Sequence, residues 1–211
     1  MKENKDSPQN LFNFGLVKSK LGQLDGEFGA NYYLDLAIRA YADKDENGLY
    51  MAQYNLGLNL RKLKEFEASA AILTKATESD KENPIAFNNL GLTLFEKQDY
   101  RESMDAFSKA IELKPTAIHY NNRGLASYYI NLKDNAINDF DKALEYDNTD
   151  PTVYYNRGNV FLNKNRFDKA ISDYECAVKI KPLEPKFHHA LGLTYEAQAL
   201  QIEETLVKEG V

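Results

Sequence analysis

Tryptophan is absent from the 211 residues, cysteine occurs once, histidine three times and proline six times. With Cys176 alone there can be no intrachain disulfide and no zinc site built on several thiolates. The aromatic and apolar neighbours of that cysteine, within a helical pattern, read it as a small buried hydrophobe. No stretch comes near the roughly 18 consecutive apolar residues of a membrane-spanning helix, and the opening MKENKDSPQNLFNF lacks the apolar run of a secretory signal. A cytoplasmic location is the expectation. Positive charge is also scarce: Lys plus Arg number 26 against 32 Asp plus Glu, a formal net charge of -6. Nucleic acid or an anionic membrane would need a concentrated basic patch to overcome that balance, so no nucleic-acid partner and no direct membrane insertion are expected.

The motifs of several chemistries are missing as well. There is no GxxxxGK[ST], no GxSxG and no dinucleotide loop. His188 and His189 are adjacent, so on a helix they point about 100° apart, and His119 has no HxxH or ExxH partner. No metal, no cofactor and no catalysis are expected. What remains, 43% hydrophobic and 27% charged residues, suffices for a core and argues against disorder.

The core is organised by a repeat. QYNLGLNL, FNNLGLTL, YNNRGLAS, YYNRGNVF and HHALGLTY place Gly57, Gly91, Gly124, Gly158 and Gly192 at spacings of 34, 33, 34 and 34 residues. Twelve residues after the first four glycines stands a small residue (Ser69, Ser103, Ala136, Ala170), four later a large one (Leu73, Phe107, Phe140, Tyr174), and three later again an alanine. A glycine inside a helix costs about 1 kcal/mol relative to alanine, so its recurrence implies close helix contact, with the large side chain filling the space left by the missing Cβ. Pro84, Pro151 and Pro185 precede the glycines by seven residues, as first-turn prolines would, with Asn83 and Asp150 as caps. Pro115 and Pro182 follow patterns that they end.

The spacing predicts first helices at 50–63, 84–97, 117–130, 151–164 and 185–198 and second helices at 67–80, 101–113, 134–146 and 168–180, with Gln201 to Lys208 completing the last pair. Residues 1–10 read as a flexible N-terminus because of their polarity and Pro8, and 11–49 as a degenerate capping hairpin with a loop at Asp43 to Gly48. Gly22, Gly26 and Gly29 in that segment do not fit the repeat's register, and Phe12, Phe14, Leu21, Phe28, Leu34 and Leu36 predict that it is ordered. The array then occupies 50–211, as repeats at 50–83, 84–116, 117–150, 151–184 and a partial 185–211. The third repeat is irregular: it has Lys133 where Phe66, Tyr100 and Phe167 stand in the others, and it follows a one-residue shortening between Pro115 and Gly124. Asp139 and Asp141 fall on what reads as a solvated outer face, and Arg123 and Arg157 replace leucine beside the glycine, their stems lining the hairpin and their guanidinium groups reaching solvent or a carboxylate.

Phe87, Leu90, Gly91, Leu94, Tyr100, Ser103, Phe107, Ala110 and Pro115 give this chain a pattern that resembles the tetratricopeptide repeat family over residues 50–198. The resemblance implies an all-α fold, a right-handed superhelical solenoid of antiparallel helix hairpins, whose first helices line a concave groove. It implies a non-enzymatic scaffold that binds a protein or peptide, as an extended segment where backbone groups are clamped. The alternative is a self-assembly module associating through the solenoid ends or convex face.

The positions that the family points inward are Met51, Ile85, Ile118, Thr152 and Lys186 in one row, and Tyr54, Asn88, Asn121, Tyr155 and His189 in a second. Asn55, Asn89, Asn122 and Asn156 form a third with Ala190, and Arg61, Phe95, Tyr128, Leu162 and Glu196 a fourth. An asparagine amide both donates and accepts, so a row of them can clamp successive peptide groups of an extended chain, as in the asparagine ladder of the glycosyltransferase superhelices that this row resembles. The same amides can instead bond neighbouring helices and set repeat geometry. The expected groove is Tyr54, Asn55, Asn88, Asn89, Phe95, Asn121, Asn122, Tyr128, Tyr155, Asn156 and Leu162. A carboxylate clamp for acidic tails is disfavoured, because Leu58 and Leu92 follow their glycines and Tyr54 holds the lysine position.

Overall fold

The computed structural model describes residues 7–42 and 44–209, which form eleven α-helices and, among the described residues, no strand. In chain order they are α1 (Pro8–Lys20), α2 (Ala30–Tyr41), α3 (Glu46–Lys62), α4 (Phe66–Ser79), α5 (Pro84–Glu96), α6 (Tyr100–Leu113), α7 (Ala117–Tyr129), α8 (Lys133–Tyr146), α9 (Pro151–Asn163), α10 (Phe167–Ile180) and α11 (Pro185–Glu209). The chain divides into two compact units, Met1–Lys114 and Pro115–Val211, inside the segment that the sequence reads as one array. The first packs as three hairpins, α1 with α2, α3 with α4 and α5 with α6; the second as α7 with α8 and α9 with α10, followed by α11.

The first helices start where a side chain can accept an orphan N–H. Ser7, Asp45, Asn83, Thr116 and Asp150 do so for α1, α3, α5, α7 and α9, and Pro8, Pro84 and Pro151 occupy the first turn. This corrects two expectations. Pro8 opens a helix, so α1 begins inside the segment 1–10 expected to be flexible, whose residues 1–6 lie outside the described residues. The loop expected through Gly48 gives way to helix at Glu46, because the Asp45 carboxylate accepts the Gly48 N–H at 3.1 Å.

Each turn inside the four regular hairpins rests on one left-handed residue seven positions after the glycine: Lys64, Gln98, Asn131 and Asn165, with φ of 64°, 73°, 64° and 54°. The next N–H then reaches back five residues to a helix carbonyl, as from Glu65 to Leu60 and from Asp99 to Leu94, each 2.9 Å. The same motif follows α1, where Gly22 has φ of 73° and Gln23 donates to the Lys18 carbonyl. Gly15 therefore belongs to the repeat, and a Cβ on it would meet Leu34 at 2.8 Å. The register is hidden in the sequence because Leu34 lies 19 residues after Gly15, where the later repeats use 16. Phe12 and Leu34 are buried as expected, whereas Phe14, Leu21 and Phe28 are exposed.

Within the hairpins the expected interlock holds: a Cβ on Gly57, Gly91, Gly124 or Gly158 would sit 2.6–2.9 Å from Leu73, Phe107, Phe140 or Tyr174, all fully buried. The two units build the surroundings differently. In the first, Ser69 and Ser103 donate to the carbonyls of Gly57 and Gly91 at 2.8 Å, and Leu56 and Leu90 sit in apolar clusters. In the second, Arg123 forks onto Asp139 and Arg157 onto Asp173, each with bonds of 2.9 and 2.6 Å, and Arg157 also reaches Asp141. Asp139 is buried at 6% exposure, so it is not on a solvated outer face as its charged neighbourhood suggests; bidentate pairing with Arg123 is what makes its burial tolerable. The Asp139 bond raises the Arg123 pKa further. Burial opposes the Arg157 charge, but its two carboxylates more than offset that and hold it protonated.

The last pair departs from expectation. α11 runs 25 residues from Pro185 to Glu209 without a turn, so Gln201 to Lys208 extends the first helix and does not return as a second. The position seven after Gly192 is Ala199, the strongest helix former, with no polar group to support a left-handed turn.

Candidate functional site

In the first unit, α3 and α5 lie side by side and join through the predicted site residues. Asn89 Nδ2 donates to the Tyr54 hydroxyl and to the Ile85 carbonyl, both at 2.9 Å, and Asn89 Oδ1 accepts from Arg61 Nη1 at 3.2 Å. Arg61 also lies 3.7 Å from the Glu96 carboxylate. Both amide hydrogens of Asn89 are thus committed to the fold, while Asn55 places one on the Met51 carbonyl at 2.8 Å. Tyr54 stacks on Tyr50 at 5.7 Å, and burial raises the pKa of both phenols. For Tyr50 the value is pushed up to about 12, with Tyr54 and Asp80 adding to burial and the hydrogen bond from Asn83 opposing it. Asn88 is half-buried, and Phe95 packs edge-on against Tyr100 at 5.2 Å.

The second unit joins α7 and α9 similarly. Asn156, only 8% exposed, donates to Asn121 Oδ1 at 2.9 Å, and Asn121 Nδ2 lies 3.5 Å from Asn122 Oδ1. Tyr155 fits between Tyr174 and Phe187, with ring centroids 5.9 and 5.4 Å away, and the Lys186 ammonium sits 5.6 Å from its ring. Tyr128 and Leu162 pack against the unit's buried cluster, and Tyr128 meets Tyr129 edge-on at 5.9 Å. The structure therefore brings Tyr54 to Asn89 and Asn121 to Asn156, so that two of the four asparagines of the row, Asn89 and Asn156, bond across helices.

The side chains that this face leaves most open are apolar ones that the expected groove set omits. Met51 and Ile85 are 38% and 59% exposed in the first unit, and Ile118 is 64% exposed in the second. Each lies four residues before an asparagine of the row, hence on the same helix face, and that spacing is the sequence signal that marks them.

No group of His, Cys, Asp or Glu among the described residues could hold a metal ion. His188 Nε2 lies 2.7 Å from the Pro182 carbonyl, His189 is exposed, His119 is buried, and Cys176 is half-buried where full burial is expected. Among the described residues no helix is long and apolar enough to cross a membrane.

Comparison with known proteins follows the repeat. Models described as "Tetratricopeptide repeat" match residues 52–83, 84–116 and 151–182, and a "TPR repeat" model matches 134–165. The human "Tetratricopeptide repeat protein 6" is 24% identical over 112 residues, 53% of this chain and 22% of that protein, so the match spans about a fifth of that relative. Among solved structures, YrrB, described as a TPR protein with an unusual peptide-binding site, superposes with a TM-score of 0.75 at 22% identity, covering 90% of this chain and 94% of that one. MamA does so with a TM-score of 0.65 at 26% identity, over 70% and 87% of the two chains. With family models matching residues 52–116 and 134–182, more than half of its length, and the glycine interlock present in four hairpins, the chain belongs to the tetratricopeptide repeat family.

Proposed function

We propose that the protein is a non-enzymatic interaction scaffold that binds a segment of a partner protein on the first-helix faces, α3 with α5 and α7 with α9. The observation that carries this reading is the set of apolar side chains held open on those faces, Ile85 and Met51 in one unit and Ile118 in the other. Exposed aliphatic groups beside amide-rich helices offer contact area to an apolar side chain and hydrogen bonds to its backbone. Further support comes from YrrB, a protein of the same fold described by its peptide-binding site. In this reading Asn55 and Asn122 take part in binding, whereas Asn89 and Asn156 chiefly hold the helices in place. In the first unit Tyr54 and Phe95 border the binding face and Asn88 forms its floor; in the second Tyr128 and Leu162 border the face and Asn121 and Tyr155 form its floor.

The test is selection of binding peptides from a random library on the parent protein, followed by titration against Ile85→Asp, Ile118→Asp and the paired Asn55→Ala and Asn122→Ala variant, each checked by circular dichroism. At least a tenfold loss with either folded isoleucine variant is expected. Parent-like affinity in both would overturn the reading. The alternative of self-association draws on exposed Phe14 and Val17 of α1, Leu21 at its C-cap, and Leu200 and Val207 of α11. It requires a mass that rises with concentration in sedimentation, which a peptide receptor does not.

A further inference from the structure

Five glycines share one register, and the last is unlike the others. Gly57, Gly91, Gly124 and Gly158 are buried under Leu73, Phe107, Phe140 and Tyr174 of the helix that follows, whereas Gly192 is exposed and a Cβ there would meet nothing within 4 Å. Its neighbours Leu193 and Tyr195 are each 47% exposed, while Leu58, Leu60, Leu92 and Leu94 at the equivalent positions are partly buried. The slot is therefore formed but unfilled. The rest of α11 does not supply the filling: the helix continues straight to Glu209, and the small and large positions of a second helix would fall on Glu204 and Lys208.

We infer that α11 is one half of a helix hairpin completed in trans by an amphipathic, basic helix of a partner protein. The chemistry of that helix is set by how this chain fills the same slot. Where the residue before the glycine is Leu56 or Leu90, the position before the large side chain is apolar, Ile72 or Ala106; where it is Arg123 or Arg157, that position is Asp139 or Asp173. Leu191 precedes Gly192, so the incoming helix carries small-x-x-apolar-large-x-x-Ala, with Leu or an aromatic as the large residue. Glu196, Glu203 and Glu204 are exposed on α11, and from Ala190 onward Lys208 is the first cation, which favours a basic partner and disfavours a second α11 brought against the first. This site is distinct from the first-helix faces proposed above and does not depend on them.

The probe is a 14-residue capped peptide with the sequence of α6, Tyr100–Leu113, carrying Glu102→Lys, Asp105→Lys and Glu112→Lys. Its anisotropy is titrated with the parent protein and with Gly192→Leu, which fills the slot from within and whose Cβ, unlike one at Gly158, meets nothing within 4 Å. Saturable binding to the parent is expected, weakened at least tenfold by Gly192→Leu with the circular dichroism unchanged, and equally by Phe107→Ser in the peptide. The unmodified α6 peptide should bind several-fold more weakly than the basic one, by a margin that shrinks at high salt. Ile85→Asp should leave this binding unaltered. No saturable binding, or equal binding by parent and Gly192→Leu, overturns the inference. A protein mass that rises with concentration in the parent and not in Gly192→Leu would make a second copy the occupant and overturn it too.

Discussion

Gly91 and Gly192 have the same neighbours in sequence and opposite surroundings, which makes the glycine a measure of what lies across from it. Gly91→Leu would drive a branched side chain into Phe107, whose ring already lies 2.6 Å from the site of a Cβ, and an overpacking cost of about 1–3 kcal/mol or more is expected. Gly192→Ala meets nothing and should stabilise α11 by up to about 1 kcal/mol through helix propensity. Thermal unfolding of the two variants checks both signs, and a loss with Gly192→Ala would mean that the slot is occupied. The arginine pairs can be dissected similarly. Asp139→Ala leaves Arg123 partly buried without its fork and should cost about 3–5 kcal/mol, while adding Arg123→Leu recreates the chemistry of the first unit and should restore much of it. A double variant no more stable than Asp139→Ala would show that the pair does more than fill its site.

Helices pair here through polar side chains as well as through the apolar interlock, and the Tyr50 hydroxyl, accepting from Asn83 at 2.9 Å, ties the start of α3 to the start of α5. Its folded pKa of about 12 stands above the 10.0 of an exposed tyrosine. The neutral phenol is therefore favoured by folding, so its contribution is intact below pH 10 and is lost as pH rises through the folded value. Unfolding midpoints followed across that range should fall, and fall less in Tyr50→Phe; equal slopes would remove Tyr50 from the account. The eight helices α3 to α10 are legible in the sequence to within a few residues because glycine, small residue and large residue recur at fixed intervals. α1 and α2 obey the same logic, but three inserted residues between Gly15 and Leu34 conceal it. The end of α11 departs from the pattern for the converse reason: a glycine in register promises a hairpin, yet Ala199, the strongest helix former, continues the helix. At the site, the helix faces are legible and the bonding is not, since the spacing of Asn89 says nothing of Tyr54 and Arg61 engaging the two ends of its amide.

Each compact unit has its own buried clusters, and local stability can differ between such clusters. In Gly91→Leu, hydrogen exchange should accelerate across α3 to α6 while α7 to α10 keep their protection; uniform acceleration would show a single cooperative block. A last consequence attaches to the left-handed turn residues. Lys64 and Gln98 hold φ of 64° and 73° without the short polar side chain that helps asparagine there, and each bears a conformational penalty of about 1 kcal/mol that glycine would not. Lys64→Gly and Gln98→Gly together should raise the first unit's melting temperature by several degrees. The sequence thus operates below the heat resistance that its own backbone permits, and two exposed turn positions are enough to reclaim part of that margin.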